Sequence, residues 1–325
     1  MNVLITGGAG YIGSCTSNIL LDEGHTVTII DNLSTGSKKL IPKKATFFKS
    51  NIQDQKKISK LLKKNKFDIV FHFAAFIKVE ESVVYPKKYI QNNYNNSIKF
   101  FSICKKNNLK KIIFSSTAAI YGNTKKPMVK ENSPLNPESP YAHSKLNVEN
   151  FLKKNKYFSY IILRYFNVAG ADTKLRSGQL SNKPSTHLIK RICEKSIKKQ
   201  TIEIYGKNYP SKDGTTIRDY IHVVDLADAH IQSAKYLLKK KKSNIFNCGY
   251  GKGYSIMEVI KCFNKISNNK IKYKYADRRD GDIYKIVANV SKIKKVIKWK
   301  PKHNSISKIL VSSLTWQKKV YKLNA

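Results

Sequence analysis

Apolar residues along this chain gather in short unbroken runs, "VLIT", "TVTII", "ATFF", "FDIVFHF", "KIIFSS" and "YIILRYF", separated by polar-rich stretches of helical length. A strand with one face in water alternates apolar and polar positions, whereas a strand covered on both faces reads as a continuous apolar run. The runs therefore predict βαβ units and a parallel sheet between two helical layers. From about Ala171 the pattern loosens. "GADTKLRSGQLSNKPS" reads as a long loop, "THLIKRICEKSIKK" as a helix, "NYPSKDGT" as a turn and "RDYIHV" as a strand. A helix from near Asp225, a strand "NIFNCG" and a helix after Ser255 follow. The expected fold class is α/β, a doubly wound parallel sheet with a smaller mixed α/β domain. The first domain is expected over 1–171, with the chain returning to it around 215–250, and the second over 172–325.

Composition narrows the classes. At 325 residues and 41% hydrophobic content the chain can bury a substantial core. No apolar run approaches the roughly 20 residues of a membrane span, and a strand-like "NVLIT" begins at Asn2, which leads to the expectation of a cytoplasmic protein without a leader or membrane contact. Five cysteines, widely spaced and without a CxxC pair, argue against a disulfide framework or a metal site. The net charge of +41 raises a nucleic-acid reading, but 56 of the 62 basic residues are lysines spread along the whole chain rather than gathered in an arm. Solvated lysine-rich faces account for that pattern, and no specific nucleic-acid partner is expected.

The first chemical motif is "VLITGGAGYIG", a strand running into Gly7, Gly8, Gly10 and Gly13 with a helix directly after. Glycines are needed where a tight turn excludes a Cβ and the backbone must approach a pyrophosphate at a helix N-terminus. Strand, turn and helix together make this a Rossmann-type dinucleotide cradle. Asp31 ends the second apolar run, 18 residues past Gly13. A carboxylate there accepts the ribose hydroxyls and repels a 2′-phosphate, so the expected cofactor is NAD.

The second motif is "YAHSK". Tyrosine and lysine four apart occur three times, at Tyr121/Lys125, Tyr141/Lys145 and Tyr236/Lys240, about the number that chance gives. Only Tyr141 opens a helix: "NPESPYAHSKLNVENFLKK" offers Ser139 as cap and Pro140 at the first helical position. On that helix Tyr141 and Lys145 share a face, so an ammonium can lie near the phenol and favour the phenolate. Ser115, Ser116 and Thr117 lie just beyond a strand's carboxyl end, where parallel sheets bind ligands.

Together "TGGAGYIG", "DNLSTG", "VFHFAA", "FSSTAAIYG", "SPYAHSK", "LRYFNVAGA", "THLI", "DGTTIRDYIHVVDLADAH", "FNCGYGKGYS" and "RRDGD" resemble the extended short-chain dehydrogenase/reductase family, in its branch acting on nucleotide sugars, over nearly the whole length. The resemblance implies reversible 4-epimerisation of UDP-galactose and UDP-glucose through a 4-keto sugar, with tightly bound NAD, a UDP-hexose partner and a homodimer. It implies that Tyr141 is the base, that Lys145 orients the nicotinamide ribose and tunes Tyr141, and that Thr117 bonds the sugar's 4-hydroxyl. Positions matching cofactor contacts are Gly7, Gly10, Tyr11, Ile12, Gly13, Asp31, Asn32, Asn51, Ile52, Phe73, Ala74, Ala75, Asn92, Ser115, Tyr141, Lys145 and Phe166. Those matching nucleotide-sugar contacts are Thr117, Asn167, His187, Leu188, Tyr205, Arg218, Tyr220, Arg279, Asp282 and Ile286. Arg218 and Arg279 are two of only six arginines, and a planar guanidinium grips diphosphate oxygens in a way lysine cannot. The chain departs from the family at Asn51, where many members carry aspartate, at Ile77, where some carry lysine, and in the loop 173–185.

Three other readings compete with this one. A 4,6-dehydratase needs an Asp–Glu pair after the threonine, where this chain has Ala118 and Ala119. Epimerisation of UDP-N-acetylhexosamines depends on the room beside C2, and Ile286, of intermediate bulk, stands where the family's size gate does. A non-enzymatic RNA-binding member is opposed by the intact Tyr141/Lys145 pair.

Overall fold

The computed structural model describes residues 1–124, 126–180, 186–267, 270–279 and 282–324. Lys125 of one chance Tyr/Lys pair, the end of the loop at 181–185, and Asp280 and Gly281 of "RRDGD" lie outside the described residues.

The first half alternates strand and helix: β1 (Asn2–Thr6), α1 (Tyr11–Asp22), β2 (Thr26–Asp31), β3 (Thr46–Lys49), α2 (Gln55–Lys64) and β4 (Ile69–His72). Then come α3 (Val79–Val84), α4 (Pro86–Tyr89), a π-helical segment (Ile90–Asn95), α5 (Asn96–Lys106), β5 (Lys111–Thr117), β6 (Met128–Val129), α6 (Pro140–Lys154) and β7 (Ser159–Tyr165). Six of these strands and a later one, β11 (Asn244–Cys248), form a seven-stranded sheet in the order β11-β7-β5-β4-β1-β2-β3. Every pairing is parallel, as the unbroken apolar runs require. Val3, Leu4, Ile5, Ile69, Val70, Phe71, Ile112, Ile113, Ile161, Ile162 and Leu163 are fully buried, because helices cover both faces.

Strand order reverses between β1 and β4, and a sheet of this kind opens a crevice at the carboxyl ends of its strands there. The chain crosses from Tyr165 through β8 (Asn167–Ala169) into the second half, which holds α7 (Leu188–Ile197), β9 (Ile202–Tyr205) and β10 (Ile217–His222). It comes back through α8 (Val223–Lys240) and β11, the latter hydrogen-bonded to β7. After β12 (Gly253–Ser255), α9 (Ile256–Ser267), β13 (Tyr273–Ala276) and β14 (Lys285–Ala288), helices α10 (Ser291–Ile297) and α11 (Ile306–Asn324) close the chain. The smaller sheet runs β12-β10-β14-β6, with β8 also on β10, and β9 pairs β13. Strand β6 thus comes from the first half, and its Val129 pairs with Ala288.

Candidate active site

The glycine turn leads from β1 into α1 at the reversal point. A Cβ on Gly7, which has φ +74°, would lie 2.6 Å from the Ala74 backbone nitrogen, and one on Gly13 would lie 2.4 Å from the Gly7 carbonyl oxygen. Only bare backbone fits. Gly10 caps α1 with no side-chain hydrogen bond, so the N–H groups of the first helical turn are left for an anion. Asp31, at the end of β2, is buried; its Oδ2 accepts from Ala9 N–H at 3.0 Å and its Oδ1 from Leu33 N–H at 2.7 Å. Burial pushes its carboxyl up, and those two N–H groups oppose the shift. Asn32 donates to Asn51 Oδ1 at 2.8 Å, and both border a depression with Lys49, Ser50, Asp54 and Lys57. Ile52 is buried beside them in sequence, while Phe73, Ala74 and Ala75 leave β4 half-buried. Ile12 is half-buried in the first turn of α1, and the Tyr11 hydroxyl donates to Gly170 O at 2.6 Å. Phe166 is buried, its N–H on the Cys248 carbonyl at 3.0 Å. The residues fit a dinucleotide diphosphate: a backbone cradle, an uncapped helix terminus and an acidic residue one strand away.

The catalytic candidates meet at the end of β5. Ser139 caps α6 as expected, accepting from Ala142 N–H at 3.2 Å, with Pro140 in the first turn. This places Tyr141 one turn before Lys145. Lys145 is buried and donates to the Ser115 carbonyl at 2.8 Å, with its Nζ 5.1 Å from the centre of the Phe114 ring. Burial lowers its ammonium to about 7. The neighbouring Thr117 hydroxyl holds the pKa of the Tyr141 phenol down, but burial is the larger effect and the phenol stands above its ordinary value. Lysine directs its proton to a backbone carbonyl, and the group acting on Tyr141 is Thr117.

A second cluster forms on the smaller sheets. Arg218, on β10, reaches Asp282 at 2.6 Å and also donates to the carbonyls of Ile217 and Tyr284. Arg279 lies over the Tyr205 ring at 3.9 Å. Ile286 pairs with Arg218 across β10 and β14 and is buried. Tyr220 is buried, and its phenol is raised to about 12 by burial; Asn167 stands beside it in the β8–β10 pairing. His187 precedes Leu188 at the start of α7, with Gln179 Nε2 at 3.0 Å from its Nδ1. The two clusters come from opposite halves of the chain. Glu80, on α3 of the first half, reaches the second cluster through its ion pair with Arg279 at 3.1 Å.

Three supports were missed from sequence. Glu149, on α6, accepts from Arg164 Nε at 3.0 Å and Nη2 at 2.7 Å, and from Ser116 Oγ at 2.6 Å, all buried. Arg164 also donates to Tyr121, which in turn donates to Asn247. Tyr121 is thus part of a structural network. Asn93, in the π-helical segment, donates to Ser144 Oγ on α6 at 3.1 Å, grips Phe76 through both its N–H and C=O, and accepts from Asn92 Nδ2. His72 bonds Thr6 and Ser97 between β1 and α5. Arg164 was the visible signal, a lone charge inside the apolar run "YIILRYF".

Fold and site together define a dinucleotide-dependent enzyme architecture of the short-chain dehydrogenase/reductase kind. The chain belongs to the NAD dependent epimerase/dehydratase family, whose model matches residues 3–249. It is 40% identical over 322 residues to the UDP-glucose 4-epimerase of Lactobacillus helveticus, covering 98% of this chain and 97% of that protein. Among solved structures it is similar to the UDP-glucose-4-epimerase of Stenotrophomonas maltophila, crystallised with NAD and formylated UDP-arabinopyranose, at TM-score 0.96, 31% identity and 99% coverage of each chain. The UDP-Glc/GlcNAc 4-epimerase of Campylobacter jejuni is 42% identical at TM-score 0.85, covering 98% of this chain and 99% of that one.

Proposed function

We propose that this protein interconverts UDP-galactose and UDP-glucose by inverting C4 of the hexose with NAD bound. The observation that carries the reading is the group of half-buried Thr117 and Tyr141 with buried Lys145 at the end of β5, next to a glycine cradle that only bare backbone can fill. The chemistry NAD would supply when bound is reversible hydride acceptance at C4 of the hexose. Every other demand falls on the chain. Gly7, Gly10 and Gly13 with the start of α1 hold the diphosphate of the cofactor, and Asp31 accepts from the adenosine ribose. Tyr141 removes the proton of the 4-hydroxyl and later returns it; Thr117, beside the phenol, guides that hydroxyl. Lys145, four residues on, orients the nicotinamide ribose. Its charge and that of the oxidised ring together favour the phenolate, offsetting the burial that raises Tyr141.

Rotation of the keto sugar requires firm holding of UDP and loose holding of the hexose. Arg218 and Arg279 are assigned to the diphosphate, with Asn167, His187, Leu188, Tyr205, Tyr220 and Asp282 around the nucleotide and sugar. This assigns 1–171, with the chain returning around 215–250, to the cofactor and 172–325 to the UDP-sugar. Incubation of the purified protein with UDP-galactose and no reductant is expected to give UDP-glucose by chromatography; unchanged UDP-galactose refutes the reading.

A second reading is favoured by one residue: Ile286, buried on β14 beside Arg218, is smaller than an aromatic gate. UDP-N-acetylgalactosamine is therefore expected to be converted as well, in a parallel incubation. We also propose a cytoplasmic homodimer built on the stretch 86–107 and α6, which the Asn93–Ser144 bond holds side by side. Light scattering at twice the chain mass of 37.2 kDa supports it, and scattering at the single mass removes it.

A further inference from the structure

Both arginines assigned to the diphosphate already hold carboxylates. Arg218 pairs with Asp282 inside its own half, whereas Arg279 reaches across to Glu80, 199 residues earlier in the chain, with its Nη1 3.1 Å from Oε1. The same guanidinium rests on Tyr205 at 3.9 Å, so its position is fixed from two sides. Glu80 sits in the first turn of α3, the segment that follows β4 out of the cofactor half. Its neighbour Glu81 is committed elsewhere, accepting from Lys88 at 2.6 Å and from the Tyr89 hydroxyl at 3.2 Å. Glu80 also faces His187, where its charge opposes the downward pull of burial and of Lys190. One carboxylate thus stands between two residues assigned to the nucleotide sugar.

A guanidinium fork that accepts a carboxylate accepts a phosphate in the same way, and it cannot be fully paired with both. The Glu80 and Arg279 side chains are 52% and 33% exposed, so the pair is weak and can be displaced by a dianionic group. We propose that Glu80 is a resident competitor for the diphosphate at Arg279: it holds the guanidinium when no nucleotide is bound and must be displaced when the diphosphate takes its place. This rests on the assignment of Arg279 to the UDP diphosphate. The site therefore holds UDP less tightly than its arginines alone would.

The test is calorimetric titration of UDP into the NAD-loaded protein at low ionic strength. Glu80→Gln is expected to lower the Kd for UDP about two- to five-fold, the span that an exposed pair supports. Glu23→Gln removes an equal charge from the remote pair with Lys235 and is expected to leave the Kd unchanged. In an Arg279→Gln background the Glu80 substitution is expected to give no gain. An unchanged or raised Kd for Glu80→Gln, an equal gain from Glu23→Gln, or a gain that persists without Arg279 each overturns the inference. Wild-type protein that binds no UDP overturns the functional reading and this inference together, whereas UDP binding indifferent to Glu80 overturns the inference alone.

Discussion

Each residue at the centre of the site does a job that few side chains can do. Thr117 holds the Tyr141 phenol down against a burial that raises it. Thr117→Val keeps the shape and removes that donor, so turnover is expected to fall about 10- to 100-fold, the loss that accompanies a hydrogen bond to a developing anion. Bound NAD is expected to remain, as seen in nucleotide released on denaturation. At Gly13 the expectation reverses. A methyl group 2.4 Å from the Gly7 carbonyl forces the turn open, so Gly13→Ala is expected to be isolated without NAD. Retention of NAD at wild-type stoichiometry in that variant contradicts the cradle.

Among the elements, α6 carries the chemistry and is tied down at several points. Ser139 caps its start, Asn93 holds Ser144, and Glu149 binds Arg164 and Ser116 beneath it. A buried ion pair broken on one side leaves a stranded charge, at a cost of about 3–5 kcal/mol. Arg164→Met is therefore expected to lower stability by that amount in urea denaturation, and a loss below about 1 kcal/mol would remove the network from the account. The strands and the cradle were legible from sequence because periodicity and glycine placement are local signals. The ties on α6 were not. Glu149 in "NVENF" looks like any exposed helical acid until the fold brings β7 underneath it, and Asn93 is one of several asparagines in "QNNYNNS" until the π-helical turn aims it at Ser144. Spacing on a helix likewise does not show that the Lys145 ammonium donates to the Ser115 carbonyl.

The whole molecule stores a pH dependence in its histidines. Burial lowers His72 and His222 to about 3 and His230 to about 4, far below the ordinary 6.5. Between pH 4 and 6 the unfolded chain binds three protons at these sites that the folded chain does not, so stability rises with pH. Three protons set an upper slope of about 4 kcal/mol per pH unit. Asp219, raised by burial to about 6, acts in the opposite sense over the same window and removes about one proton from the difference. Asp31 and Asp228, also raised by burial, add to that opposition. Denaturation midpoints are expected to climb from pH 4.5 to 6.5, and a flat or falling series would show that these rings are protonated in place. The excess of basic charge acts separately, giving weak binding to polyanions that fades as salt is added.

The central claim is that one phenol, on Tyr141, moves the proton of the sugar's 4-hydroxyl. Tyr141→Phe preserves the ring and the helix start while deleting that oxygen. The decisive measurement is conversion of UDP-galactose by this variant beside an assay of its bound NAD. The account predicts NAD at wild-type level with turnover reduced at least about 100-fold. Turnover within a few-fold of wild type, with NAD in place, contradicts it.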